Sequence, residues 1–151
     1  MARFFYILIA AIVLPLTALA DSNQLAGEAS PYLRQHATDP VHWRAWTDKN
    51  LAAAKKLGRP ILLSIGYSAC HWCHVMQRES FTDPATAKQI NAQFFPILID
   101  REQRPDLDAM FQSTAVLQEL PTGWPLTVCL TPEGRTFSTG TYYPNGPRQG
   151  M

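Results

Sequence analysis

The sequence lacks the features of several common classes of enzyme and binding protein. It has no glycine-rich loop that would cradle phosphates, no serine-nucleophile signature, no internal repeat and no low-complexity segment. It has only three cysteines, an odd number, so at least one has no partner within the chain. Its 13 basic and 12 acidic residues nearly balance, which gives no electrostatic reason to expect nucleic acid as a partner. With 151 residues, the chain is long enough for one domain with a core of its own.

A secretory signal peptide is predicted over residues 1–20. A short positive start ending at Arg3 precedes a continuously apolar run over residues 4–14, and Ala18-Leu19-Ala20 fits the small-x-small cleavage pattern. Pro15 and the shortness of the run argue against a retained membrane anchor. Residues 21–151 would then form one periplasmic or secreted domain, with 12 basic and 12 acidic residues and no stable membrane association. Such a compartment is oxidising and allows a cysteine pair to exist as a disulfide.

The central stretch is a short apolar run followed by a Cys-x-x-Cys pair. Residues 61–65 predict a buried strand, and Cys70 and Cys73 follow a polar turn at the start of a helix. A helix N-terminus favours a thiolate, and residues three apart on a helix are neighbours. We therefore expect Cys70 to be the more exposed, attacking thiol and Cys73 to be the buried, resolving one. His71 lies between them and is expected to lower the pKa of Cys70 further.

Capping residues, breakers and periodicity place the remaining elements. Helices are predicted at about 31–37, 47–57, 70–80, 84–94 and from 105, with strands at 95–100, 126–130 and 136–143. A strand–helix–strand passage followed by a hairpin predicts an α/β, thioredoxin-like fold with a central mixed sheet flanked by helices. Cys129 falls in the strand predicted at 126–130, where its expected role is that of a small core residue.

Five separate stretches closely resemble the thioredoxin-like domain of the spermatogenesis-associated-protein family, whose bacterial members include a DsbH-like thioredoxin. These stretches are Glu28–His36, Gly66–Met76, Asp100–Asp106, Gly123–Leu126 and Gly140–Pro144. The resemblance implies a thioredoxin fold with Cys70 and Cys73 as the redox pair. It also implies that Pro125 is the cis-proline facing that pair, with the Trp124 backbone exposed for pairing with an extended substrate segment.

Several neighbouring residues have two possible roles. Trp72 is expected either to shape the surface that faces the substrate or simply to pack on the domain. His74 is expected to shield Cys73 as a polar neighbour. Asp100, Glu102, Asp106 and Asp108 form an acidic cluster that is expected to stabilise the following helix N-terminus. The other possible role is that Asp100 or Glu102 lies near the thiols and moves protons.

The leading hypothesis is an exported thiol–disulfide oxidoreductase that exchanges disulfides with protein substrates. It needs no metal or organic cofactor, but it does need a dithiol partner protein that resets the pair. One alternative is a non-catalytic binding module in which the disulfide is structural. Another is a c-type haem protein, because Cys70, Cys73 and His74 form a literal C-x-x-C-H motif. Zinc is less favoured, since the two cysteines, His71 and His74 lie within one turn and cannot surround an ion tetrahedrally.

Overall fold

The computed structural model describes residues 22–145, so the predicted signal peptide lies outside the described residues. In chain order the elements are α1 (Pro31–Gln35), β1 (Arg44–Ala45), α2 (Asp48–Leu57), β2 (Ile61–Gly66), α3 (His71–Met76), α4 (Pro84–Gln93), β3 (Phe95–Asp100), α5 (Pro105–Leu117), β4 (Leu126–Leu130) and β5 (Thr136–Gly140). A π-helical turn over Gln77–Phe81 follows α3 directly. Within this described part, no helix is both long and apolar enough to cross a bilayer.

The strands form one mixed five-stranded sheet in the order β1-β3-β2-β4-β5. The strands β1, β3 and β2 are parallel, β4 runs antiparallel to β2, and β5 pairs antiparallel with β4. This arrangement confirms the predicted α/β class and the mixed sheet. Strand β1 was not predicted, because two residues are too few to show a period of two. Strand β5 ends at Gly140 and not at residue 143 as predicted.

Helix boundaries follow the expected local chemistry. Ser30 caps α1 by accepting a hydrogen bond from the Leu33 backbone N–H, and Thr47 caps α2 in the same way. Gly58 ends α2 in the left-handed region, at φ 62°, where glycine has no steric penalty. These caps fix where α1 and α2 begin and how the chain enters β2.

The two sides of the sheet carry different side chains. Because successive side chains of a strand point to opposite sides, Ile61, Leu63 and Ile65 of β2 share one side, which we call the aliphatic face. It packs against α2 and α5 in a cluster of buried apolar residues: Ala54, Phe95, Ile97, Ile99, Leu107, Phe111, Leu126, Val128 and Leu130. The opposite side, which we call the sulfur face, carries Leu62, Ser64 and Gly66. Its cluster contains both cysteines of the pair with Leu25, Tyr32, Leu33, Val41, Trp43, Met76, Phe81, Ala87 and Leu98.

Cys129 does not occupy the fully buried position that its strand predicted. It pairs with Leu62 across β4 and β2 and so lies on the sulfur face, where both residues are only partly buried. The aliphatic face, by contrast, buries the neighbouring Val128 completely. The apolar run of β4 therefore predicted the strand correctly. It did not predict that one side of the strand is completely buried and the other only partly buried.

Candidate active site

The candidate site is centred on a disulfide between Cys70 and Cys73, with an S–S distance of 2.08 Å. Strand β2 ends at Gly66, and a short turn delivers Cys70 to the N-cap position of α3. The Cys70 sulfur accepts a hydrogen bond from the Cys73 backbone N–H at 3.2 Å. This confirms the predicted placement at the start of a helix. The same N–H would stabilise a Cys70 thiolate after reduction.

The expected contrast in exposure between the two cysteines is small. Cys70 is 4 % exposed and Cys73 is 2 % exposed, so both sulfurs belong to the buried cluster of the sulfur face. Cys70 is thus the more exposed of the two, as predicted, but only by this narrow margin. Cys70 nevertheless precedes the exposed residues His71 and Trp72, so the open surface of the site begins immediately beside it.

The two histidines next to the pair have different surroundings. His71 is exposed, and its ring packs edge-on against that of Trp72, with the centroids 5.4 Å apart. His74 is half-buried, and its Nε2 lies 2.7 Å from the Ser68 carbonyl oxygen, to which it donates. His74 therefore holds the turn that leads into Cys70, a contact that its position after Cys73 did not reveal.

Trp72 is one part of an exposed aromatic surface beside the pair. It is 55 % exposed, and its ring lies 5.3 Å from that of Tyr142, between centroids. The Tyr142 hydroxyl donates to the Glu79 carboxylate, which ties the segment after β5 to the π-helical turn. No role was predicted for Tyr142. Because Tyr142 lies far from Trp72 along the chain, no local sequence pattern could predict this contact.

The Trp124–Pro125 peptide bond is cis, as the family resemblance implied. Trp124 packs against the cluster that contains both cysteines. Its Nε1 donates to Asp108 Oδ1 at 2.9 Å, and the Arg101 guanidinium lies over its ring at 4.0 Å from the centroid. Arg101 also pairs with Asp108 Oδ2 at 3.1 Å. Asp108, one of the acidic residues expected to favour a helix N-terminus, thus holds the loop that precedes β4.

Asp100 and Glu102 are the two acidic residues expected near the thiols. Of these, Asp100 lies beside the end of β2, which leads into the turn before Cys70. It pairs with Gly66 in the register of β3 and β2 and is buried. Its Oδ2 accepts from the Ser30 hydroxyl at 2.6 Å, and its Oδ1 accepts from the Glu102 backbone N–H at 2.9 Å. The Glu102 side chain is exposed, so a role in moving protons at the thiols is not supported for it.

The site geometry does not resemble a haem attachment site. The two sulfurs bond to each other and are buried, while the ring N–H of His74 is directed to the Ser68 carbonyl. Over residues 22–145, His, Cys, Asp and Glu side chains form no group of three or more that could hold a metal ion.

Comparison with known proteins assigns this arrangement to a family. Residues 22–151 match the family model of a DsbH-like thioredoxin domain, described as "Protein of unknown function, DUF255". The chain belongs to this DsbH-like thioredoxin family. The chain is also similar to the uncharacterized protein B0495.5 of Caenorhabditis elegans, to which it is 46 % identical over 129 residues. Spermatogenesis-associated protein 20 of Rattus norvegicus is 43 % identical over 130 residues, and that of Homo sapiens is 42 % identical over 129.

These matches cover most of this chain but only a small part of each relative. They include 85–86 % of this chain but only 16–18 % of the nematode and rat proteins, so the chain spans less than a fifth of their length. Among solved structures, one titled "DsbH Oxidoreductase" superposes with a TM-score of 0.53 over 70 % of this chain and 76 % of that one, at 21 % identity. That likeness establishes a thioredoxin fold for the DsbH-like domain described here.

Proposed function

We propose that this DsbH-like domain is a thiol–disulfide oxidoreductase that acts on protein substrates through Cys70 and Cys73. One observation carries the proposal: a disulfide at the N-terminus of α3, with its first cysteine at the N-cap and an exposed aromatic surface beside it. The thiolate that this helix end favours is the reactive form of a cysteine. Asp108 holds the Trp124 ring against the same cluster, which gives the loop before Pro125 a fixed position beside the pair.

Exchange proceeds in two steps in the reducing direction. The Cys70 thiolate attacks one sulfur of a substrate disulfide, which forms a mixed disulfide and releases the other substrate sulfur as a thiolate. The Cys73 thiolate then attacks Cys70, closes the Cys70–Cys73 bond and releases the second substrate thiolate. The substrate gains two electrons and the pair loses two, while protons released by the cysteines neutralise the departing thiolates. The oxidising direction reverses these steps, and a dithiol or disulfide partner protein resets the pair.

The experiment that tests this proposal is a redox titration. The protein is equilibrated in graded glutathione buffers, free thiols are alkylated, and the intact mass is read. We expect a reversible two-thiol transition that is lost in Cys70→Ser, and Cys73→Ser is expected to accumulate mixed disulfides. A midpoint near about −120 to −180 mV indicates an oxidant or isomerase, and one near about −270 mV indicates a reductase.

A second candidate is supported by the deep burial of both sulfurs. At 4 % and 2 % exposure, the pair resembles a structural disulfide in a non-catalytic binding module. A pair that stays oxidised across all glutathione ratios would favour this candidate and contradict the oxidoreductase.

Export to the periplasm or the cell exterior is part of the proposal and is supported by residues 1–20 alone. Expression of the full chain in a bacterium should give a product that begins at residue 21, found outside the cytoplasm. A cytoplasmic product that retains residue 1 would contradict export without affecting the proposed chemistry.

A further inference from the structure

Tyr32 and Cys73 meet over the one residue of β2 that has no side chain. Gly66 is buried at the end of the strand, and a Cβ built on it would lie 2.8 Å from the Cys73 sulfur. The same Cβ would collide with the hydroxyl oxygen and the ring of Tyr32. Only glycine leaves room at this point for both groups. The hydroxyl from α1 and the sulfur from α3 are therefore neighbours above the backbone of β2.

Contacts from two other elements hold Tyr32 in this position. Ser30, the cap of α1, donates to Asp100 at the end of β3 and so ties the start of the helix to the sheet. One turn later, the His36 ring packs edge-on against that of Tyr32, with the centroids 5.0 Å apart. Tyr32 is 1 % exposed. Its hydroxyl is thus fixed by packing and excluded from solvent.

The surroundings of Tyr32 keep its hydroxyl protonated. Burial, and after it the charges of Asp100 and Asp39, raise the pKa of Tyr32 far above its usual value. The ionisable groups around it are these two carboxylates and His36. On the helix that carries Cys73, the other ionisable side chains are His71, His74 and, in the reduced pair, the N-cap Cys70. A hydroxyl that keeps its proton can donate a hydrogen bond but cannot serve as a base.

We propose that Tyr32 is a positioning residue that donates a hydrogen bond to the Cys73 sulfur when Cys73 is a thiolate. The inference rests on the proposed exchange reaction, in which Cys73 is a thiolate in both directions. In the oxidising direction a substrate thiolate attacks Cys70, the Cys70–Cys73 bond breaks, and its electron pair leaves with Cys73. In the reducing direction Cys73 loses its proton to solvent before it attacks Cys70. Stabilising this thiolate favours the reduced pair and makes Cys73 a better leaving group.

Tyr32→Phe tests the inference because it removes the hydroxyl and keeps the ring that packs on His36. In a Cys70→Ser background, the pH dependence of Cys73 alkylation reports its thiolate, with Cys129 followed separately by peptide mass. We expect the pKa of Cys73 to rise by about one unit, because a hydrogen bond to a charged group is lost. At any pH below that pKa, the fraction of Cys73 present as thiolate should then fall about tenfold. In the otherwise native pair, the same change should favour the disulfide by up to about tenfold in glutathione buffers at a pH above the pKa of Cys73, where the reduced pair holds the thiolate, and should have little effect at a pH well below it.

Tyr143→Phe is the control for the loss of a tyrosine hydroxyl that lies over a glycine. A Cβ built on Gly140 would have only Tyr143 atoms as its three nearest neighbours, whereas one built on Gly66 would also meet the Cys73 sulfur. We expect this variant to leave the pKa of Cys73 and the glutathione equilibrium unchanged. Site-specific 3-fluorotyrosine at position 32, a stronger donor than tyrosine, should lower the pKa of Cys73 and tests the inference even if Tyr32→Phe folds poorly.

The possible outcomes separate this inference from the proposed function. An unchanged pKa of Cys73 in both Tyr32 variants, with a normal redox transition in the native protein, would overturn the role of Tyr32 and leave the oxidoreductase standing. A native pair that shows no reversible transition would overturn both. Equal shifts in Tyr32→Phe and Tyr143→Phe would show a general effect of removing a tyrosine hydroxyl and would also contradict the inference.

Discussion

The aliphatic face and the sulfur face are formed by the same strands but differ in the groups that they bury. On the aliphatic face, Leu63 and its neighbours are buried among apolar side chains from α2 and α5. On the sulfur face, the cluster includes the disulfide, and beside it lies a buried polar group in which Asp39 accepts from His36 at 2.7 Å and Trp43 at 3.2 Å. The first arrangement supplies stability through apolar burial, whereas the second needs directional contacts to position sulfurs. One side of the sheet is thus packed with apolar side chains, while the other holds the disulfide and the polar contacts beside it.

The largest effect on the free energy of unfolding is expected from Leu63→Ala on the aliphatic face, and it tests whether the two faces are independent. Leu63 is completely buried, so its truncation should lower the free energy of unfolding by about 2–5 kcal/mol. The glutathione midpoint should stay unchanged, because Leu63 points away from the disulfide. Urea unfolding and the redox titration, run on the same variant, check both parts. A shifted midpoint would show that the two faces are not separable.

Gly66→Ala, three residues later on the same strand, should combine the two effects. The new methyl group would collide with Tyr32 and with the Cys73 sulfur, and such overpacking costs about 1–3 kcal/mol. Because the collision is with the redox pair itself, we expect the glutathione midpoint to shift as well. Unfolding and the redox titration are again the measurements.

Gly27→Ala is the control for this substitution, since a Cβ there meets nothing within 4 Å. Its free energy of unfolding should change by less than about 0.5 kcal/mol. If Gly66→Ala behaved like Gly27→Ala, the close approach of Tyr32 and Cys73 over β2 would be contradicted.

The smallest expected effect is on the alkylation rate of Cys129, which lies on the partly buried part of the sulfur face. Burial raises the pKa of the Cys129 thiol above its ordinary value, so the folded protein holds less thiolate there at neutral pH. Cys129 should therefore be alkylated more slowly in the folded oxidised protein than in the unfolded protein, with a rate that increases as the pH rises toward the raised pKa. Intact mass after timed alkylation at several pH values measures this. Equal rates in both states would show that Cys129 is fully accessible.

The fold was largely predictable because its signals are local. Ser30-Pro31, Thr47 and Gly58 mark helix ends through contacts with nearby backbone, and the apolar runs of β2 and β3 have the length of buried strands. The position of Cys70 at a helix N-terminus follows from the same kind of signal and is confirmed. Strand β1 was missed because its pairing with β3 depends on the partner strand and not on its own two residues.

The supporting contacts of the site were much harder to predict. Asp108 and Trp124 lie 16 positions apart, and Ser30 and Asp100 lie 70 apart, so no periodicity links them. Their place in the sequence predicts an acidic cluster near a helix start for Asp108 and Asp100, whereas each carboxylate is buried and accepts a specific hydrogen bond. The motif around Ser30 and Tyr32 was recognised as a family feature, but its closeness to the cysteines was not.

The sequence by itself determined the Cys-x-x-Cys pair, its place at the start of α3 and the order of helices and strands, because each depends on interactions within a few residues. Only the tertiary structure decided which groups surround the sulfurs. Parallel pairing of β2 with β3 brings Asp100 beside Gly66, and docking of α1 then places the Tyr32 hydroxyl over the same glycine. The chemistry of a thiol pair depends on such neighbours, and packing between distant segments sets them.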